Sequence, residues 1–343
     1  MLTEKPVIAI PLGDPAGVGP EIVLKSLQNP GVSEKCVPVV IGDGAVLART
    51  KKLLKSTLEL HEVQQPSGAL GKPGCMDYID LSLMGRLDWA MGEASARCGE
   101  AAFRFIEKAA ALAISGQADA VATPPISKEA LHLAGRHYAG HTEIFAELTH
   151  TENYAMLLAA KQLYVMHVTT HMPMREACAA ITKERVLTTI RLAALAQAQI
   201  GAPGAIAVAG LNAHCSENGL FGNEEAEAIR PAVEAAKALG INVEGPIPAD
   251  TVFVKALSGQ YGIVVAMYHD QGHIPVKLMG FSFSRKASVG GINCTIGLPM
   301  IRTSVDHGTA FDIAGKGAAD ESSLLDAIDM AVLMSGSRAP KTL

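Results

Sequence analysis

Aromatic residues make up only 4% of the 343-residue chain, and charged residues only 18%. The 29 Lys and Arg against 34 Asp and Glu leave a net charge of −5, with no basic run. A chain without a basic patch or interleaved aromatics argues against nucleic acid as its main partner. The six cysteines, Cys36, Cys75, Cys98, Cys178, Cys215 and Cys294, form no CxxC pair. They are too sparse for a disulfide scaffold, so reduced and mostly buried thiols are expected. No apolar stretch reaches the roughly 18 residues of a membrane-spanning helix. The opening MLTEKPVIAIPLGD has neither a basic leader nor a small-residue cleavage site, so a cytoplasmic location is expected. Repeats and low-complexity segments are lacking as well.

Apolar material is plentiful at 49%, punctuated by 33 Gly and 18 Pro. That suffices for two cores in one chain. Short runs that are apolar throughout predict strands covered on both faces: Val7–Pro11, Val37–Ile41, Ala120–Thr123, Leu163–Val168, Ala205–Ala209 and Ile263–Met267. Helical patterns separate them, clearest over Glu21–Gln28, Ala94–Ile114, Lys183–Gln199, Glu224–Leu239 and Ser322–Met334. Ser115–Gly116 and Gly240 mark helix stops. Gln65–Gly74 reads as a surface connection. The alternation predicts an α/β protein with mostly parallel sheets.

Three of these strands run into histidines: His171 after LYVMHVTTH, His214 after IAVAGLNAH and His269 after VVAMYHDQGH. Ligands of open α/β sheets bind beyond the carboxyl ends of the strands. A three-His metal site with an open position is therefore a reading, as are three unrelated loop histidines. His167 and His273 compete, each four residues from one of these. His61, His132, His137 and His150 read as surface residues. The turn GDPAGVGPE, Gly13 to Glu21, joins a strand to a helix whose N-terminus could face an anion. It lacks the G-x-G-x-x-G spacing. In HGTAFDIAGKGAAD, Asp312 could accept hydrogen bonds from a ribose diol; a plain polar loop is the other reading.

GDPAGVGPE, GHTEIF, TTH, GLNAH, PADT, MYHDQGH, NCTIGLPMIRTSVDHGTA and DIAGKG occur in this order over nearly the whole chain. On these motifs the sequence resembles the 4-hydroxythreonine-4-phosphate dehydrogenase family. EALHLAG, ENGLFGNEEAE, DQGHIPVKLMGF and AFDIAGKG bring it closer to the branch acting on 4-phospho-D-threonate and 4-phospho-D-erythronate. Gly13–Glu21 and His307–Gly317 also resemble segments of isopropylmalate and isocitrate dehydrogenases, which bind a dinucleotide without a Rossmann fingerprint.

The resemblance implies two α/β/α domains with a cleft between them. Residues 1–125 with 275–343 would form the cofactor side, and 126–274 the metal, substrate and dimerisation side. It implies His171, His214 and His269 as metal ligands, the site being completed across a homodimer. The metal is zinc by donor type, with magnesium, manganese or cobalt as alternatives. His141, Thr142, Lys277, Asn293 and Arg302 are implied in substrate binding. Gly13 and His307, Gly308, Thr309, Ala310 and Asp312 are implied in holding NAD. Asp250, Asp270 and Lys277 are the candidates for proton transfer. One departure is SFSRKASVGGI between Phe281 and Asn293, longer than the family's usual connection and carrying Arg285 and Lys286.

The implied reaction is NAD-dependent oxidation of a phosphorylated 3-hydroxy acid, followed by decarboxylation. Alternatives are 4-hydroxythreonine 4-phosphate as substrate, a cis-dihydrodiol dicarboxylate, a metal-dependent hydrolase, and a binding protein without catalysis.

Overall fold

The computed structural model describes residues 5–85, 89–280 and 291–337. The segment carrying Arg285 and Lys286 lies outside them. The chain divides into two compact units, Met1–Thr151 with Leu298–Gly336, and Glu152–Gly297 with Ser337–Leu343. Both crossings come later in sequence than expected from the motifs. The short helices Lys128–Leu133 and His141–Leu148 stay with the first unit. One reason is that Lys128–Leu133 packs closely on helix Ala96–Ile114, where Gly99 gives it room: a Cβ there would overlap the backbone of Ala130.

The strands are β1 (Val7–Pro11), β2 (Val37–Gly42), β3 (Glu59–Glu62), β4 (Cys75–Asp80), β5 (Ala120–Thr123) and β6 (Ala155–Ala160). They continue with β7 (Leu163–His167), β8 (Ala205–Ala209), β9 (Val243–Ile247), β10 (Tyr261–Ala266), β11 (Ile292–Ile296) and β12 (Ile301–Val305). In the first unit the order is β3-β4-β2-β1-β5-β12, parallel throughout. In the second it is β11-β6-β7-β10-β8-β9. Here β6 runs antiparallel to both β7 and β11, a departure from the parallel expectation. The cause is local: only Lys161 and Gln162 separate β6 from β7, too few residues for a crossover, so the chain must turn back as a hairpin.

All six strands foreseen in the sequence form, three of them with the expected bounds. Some of those missed carry polar residues inside the sheet, such as Asp77 in β4 and Arg302 in β12, both buried, whereas β6 was missed although it is apolar throughout. Glu224–Leu239 is not one regular helix: Glu225–Ile229 is a π-helical turn that leads into helix Arg230–Ala238. HDQGH forms the first turn of helix His269–Gly280. The six cysteines form no disulfide, and four are buried. Among the described residues, no helix is long and apolar enough to cross a membrane.

Candidate active site

In the second unit, β10 lies between β7 and β8, and all three are parallel. Their carboxyl ends therefore point the same way. His171 follows β7, His214 follows β8, and His269 opens the helix after β10. A recess of about 320 Å³ is lined by Thr170, His171, Met174, Tyr268, His269 and Asp270, among others. The rings of His171 and His269 stand 5.6 Å apart. His214 does not join them in a set of ligand atoms all within 4.8 Å of one another; among the described residues, His61, Cys75 and Asp77 form such a set within one chain.

The free nitrogens of two histidines suit a metal. His269 Nδ1 is held by Asp270 Oδ1 at 2.7 Å, and His214 Nδ1 by Glu217 Oε1 at 3.2 Å. Each carboxylate favours the Nδ1–H tautomer and leaves Nε2 as the donor. Asp250, in the first turn of helix Ala249–Leu257, is exposed; burial, then the Glu225 carboxylate, raise the Cys215 thiol next to His214, and Asp250 adds a smaller push the same way. The two carboxylates suggested for proton transfer thus each neighbour one metal-candidate loop.

Behind His269 lies an array that spacing alone did not resolve. His273 stacks on His269 with ring centroids 3.6 Å apart. Its Nδ1 is 3.2 Å from His167 Nε2. Burial, and next the facing His273, push the His167 imidazole down to about 3, so it stays neutral. The helix must come close to accommodate this, and residue 272 is glycine because a Cβ there would overlap His167 Nε2. Lys277 belongs to the same helix, half-buried. Asn293, on β11, donates Nδ2–H to Met156 Sδ at 2.9 Å, while its buried Oδ1 has no hydrogen-bond partner among the described residues.

The first unit holds the other part of the implied substrate set. Arg302 is 2% exposed on β12; it donates from Nη2 to Thr123 Oγ1 at 2.8 Å and lies 5.8 Å from the Phe145 ring. His141 stacks on the same ring at 6.5 Å, opening helix His141–Leu148 with Thr142. Burial, and then the Arg302 guanidinium, hold His141 well below its usual value. A neutral imidazole, a buried guanidinium and a helix N-terminus without a side-chain cap make an anion-accepting corner.

The two segments resembling the dinucleotide enzymes meet in this unit. Val18 N–H donates to Thr309 O at 3.0 Å, and Gly315 N–H to Glu21 Oε1 at 2.6 Å. Lys25 Nζ donates to Gly317 O at 2.9 Å and also to Ala319 O. Gly13 has φ +75°, and a Cβ would lie 2.6 Å from Pro125 O, so the turn requires glycine. His307 Nδ1 is 2.9 Å from Gly308 O, Ala310 has φ 43°, and the Asp312 side chain is exposed. Asp14, fully buried in the turn, was not foreseen. Burial pushes its carboxyl up to about 6 against the N–H groups of Ala16 and Ser127.

Residues 34–331 match the family described as "Pyridoxal phosphate biosynthetic protein PdxA". The chain is 49% identical over 337 residues to "D-threonate 4-phosphate dehydrogenase" of Cupriavidus necator, covering 97% of this chain and 98% of that protein. Among solved structures, a 4-hydroxythreonine-4-phosphate dehydrogenase from Klebsiella pneumoniae superposes with TM-score 0.88 at 45% identity, over 96% of this chain and 100% of that one. A terephthalate 1,2-cis-dihydrodiol dehydrogenase from Burkholderia xenovorans LB400 follows at TM-score 0.69 and 30% identity, over 96% and 98%. The chain belongs to the PdxA family, and it is a dehydrogenase.

Proposed function

We propose that this protein is a cytoplasmic homodimer that oxidises 4-phospho-D-threonate, or 4-phospho-D-erythronate, with NAD and a divalent metal, zinc by donor type, to give dihydroxyacetone phosphate and carbon dioxide. The observation that carries the reading is the delivery of His171, His214 and His269 to the carboxyl ends of three adjacent parallel strands. The name of the Cupriavidus necator relative supports the substrate.

His171, His214 and His269 would hold the metal and the loop His307–Asp312 the adenosine of NAD. When bound, the metal polarises the substrate hydroxyl and NAD accepts the hydride. Asp270 or Asp250 receives the hydroxyl proton as hydride leaves the same carbon. The resulting β-keto acid loses carbon dioxide. His141, Arg302 and the Thr142 end of the helix bind one substrate anion, and Lys277 and Asn293 supply further donors. Asp312 accepts from the ribose hydroxyls.

The test is NAD reduction over a panel of phosphorylated hydroxy acids, with carbon dioxide as product. Turnover of 4-phospho-D-threonate well above 4-hydroxythreonine 4-phosphate is expected. The reverse order would support the second reading, pyridoxal phosphate biosynthesis, which the Klebsiella pneumoniae likeness favours.

A further inference from the structure

We propose that His61, Cys75 and Asp77 form a zinc-binding site on the β3–β4 edge of the first unit, separate from the histidines assigned to catalysis. Strand pairing builds it. His61 stands in register with Asp77, and Glu59 with Cys75. Side chains alternate faces along a strand, so Cys75 and Asp77 share one face, and His61 joins them from β3. One ligand atom from each of the three lies within 4.8 Å of the other two. Asp77 and Cys75 are buried at 1% and 4% exposure, while the His61 side chain is 36% exposed. Two ligands are thus fixed in the sheet, and the third leaves room for water in the remaining position.

The carboxylate is oriented for this. Asp77 Oδ1 accepts from Leu70 N–H at 3.0 Å and Oδ2 from Gly71 N–H at 2.9 Å. Hydrogen bonds of this kind aim ligating carboxylates in metal sites. Glu59, in register with Cys75, adds its carboxylate to that of Asp77, so the local field is negative. A cation relieves that field and converts the thiol to thiolate. One nitrogen, one sulfur and one oxygen donor suit zinc better than the hard ions magnesium or calcium. Bound there, zinc would tie β3 and the connection through Gly71 to β4. A simple His61–Asp77 ion pair at 2.7 Å accounts for two of the residues; the thiol is what separates the two explanations.

The experiment uses the full chain stripped by chelator and titrated with cobalt(II). A thiolate-to-cobalt charge-transfer band is expected, saturating at one cobalt per chain in the His171→Ala background and erased by zinc. Cys75→Ser should abolish the band. His61→Ala, a change at a half-exposed side chain, should weaken cobalt binding by about tenfold or more. Cys215→Ser and His171→Ala should leave the band intact, so loss of the catalytic metal reading would not affect this result. Absence of a thiolate band in the folded unaltered protein, or a band that survives Cys75→Ser, would overturn the proposal.

Discussion

The Glu225 carboxylate grips Asn212 twice, accepting its backbone N–H at Oε1 at 2.7 Å and its side-chain Nδ2–H at Oε2 at 2.9 Å. Leu211 N–H also donates to Oε1 at 2.7 Å, and the Ser216 hydroxyl to Oε2. Between these anchors, His214 to Asn218 all have positive φ, from 44° to 68°. Each such non-glycine residue costs roughly 1–2 kcal/mol. The buried carboxylate offsets that cost and fixes the turn presenting His214. Glu225→Gln replaces one acceptor oxygen by a donor facing donors. It should cost about 1–3 kcal/mol, read by chemical unfolding, and lower the metal retained per chain. Burial alone would raise the Glu225 carboxyl, but the bonds from Ser216 and Asn212 hold it below its usual 4.5. Its contribution is therefore present above that value and lost as pH falls through the folded one.

Asp14 shows the opposite sign. Its folded value of about 6 exceeds the usual 3.8, so the folded state keeps the proton longer. Stability falls as pH rises from 3.8 to about 6 and is then level, a loss of about 3 kcal/mol at 1.36 per unit. Asp14→Asn keeps the acceptor for Ala16 N–H, now 2.8 Å away, and removes the ionisation. Melting curves should show it stabilised over the unaltered protein at pH 8 and nearly unchanged at pH 4. An equal difference at both would disprove the assignment.

Gly272→Ala pushes a methyl group into His167. Overpacking of this kind costs about 1–3 kcal/mol. Because His273 and His269 follow the same helix, the Michaelis constant for the hydroxy acid should rise alongside the lower melting temperature.

Asp312→Ala should raise the Michaelis constant for NAD and narrow the preference over NADP, since the carboxylate repels a 2′-phosphate and accepts from a free hydroxyl. Steady-state kinetics with both cofactors check this; equal use of the two by the unaltered enzyme would sink it.

Lys277→Met and Arg302→Met should each weaken the phosphorylated substrate by roughly 10- to 150-fold, the value of a charge-assisted bond of about 1.5–3 kcal/mol. Whichever residue contacts phosphate should affect D-threonate much less. Equal losses on both substrates at both positions would show that neither side chain reads the phosphate.

Local sequence was enough where a position is governed by its immediate surroundings. β1 and β8 are legible because a strand covered on both faces calls for apolar residues along its length, and these supply them; β5 follows the same pattern up to its last residue, Thr123. The histidines were legible as strand-end residues for the same reason: where the apolar run stops, the loop begins. Family motifs then supplied roles that spacing could not.

Long-range pairing decided the rest. β12 could not be read as a core strand, because Arg302 is buried there only by virtue of Thr123, Phe145 and His141, more than 150 residues away in sequence. The turn beginning at Gly13 gains its partner from the loop around Gly315, with Glu21 and Gly315 separated by 294 residues. The sequence alone marked histidines, glycines and strands, since those follow from backbone sterics and burial along a few neighbouring residues. Which histidines face one another, which acid is buried without a counter-charge and which strand turns back were decided by the tertiary structure, because desolvation and hydrogen bonding depend on what the fold packs against each side chain.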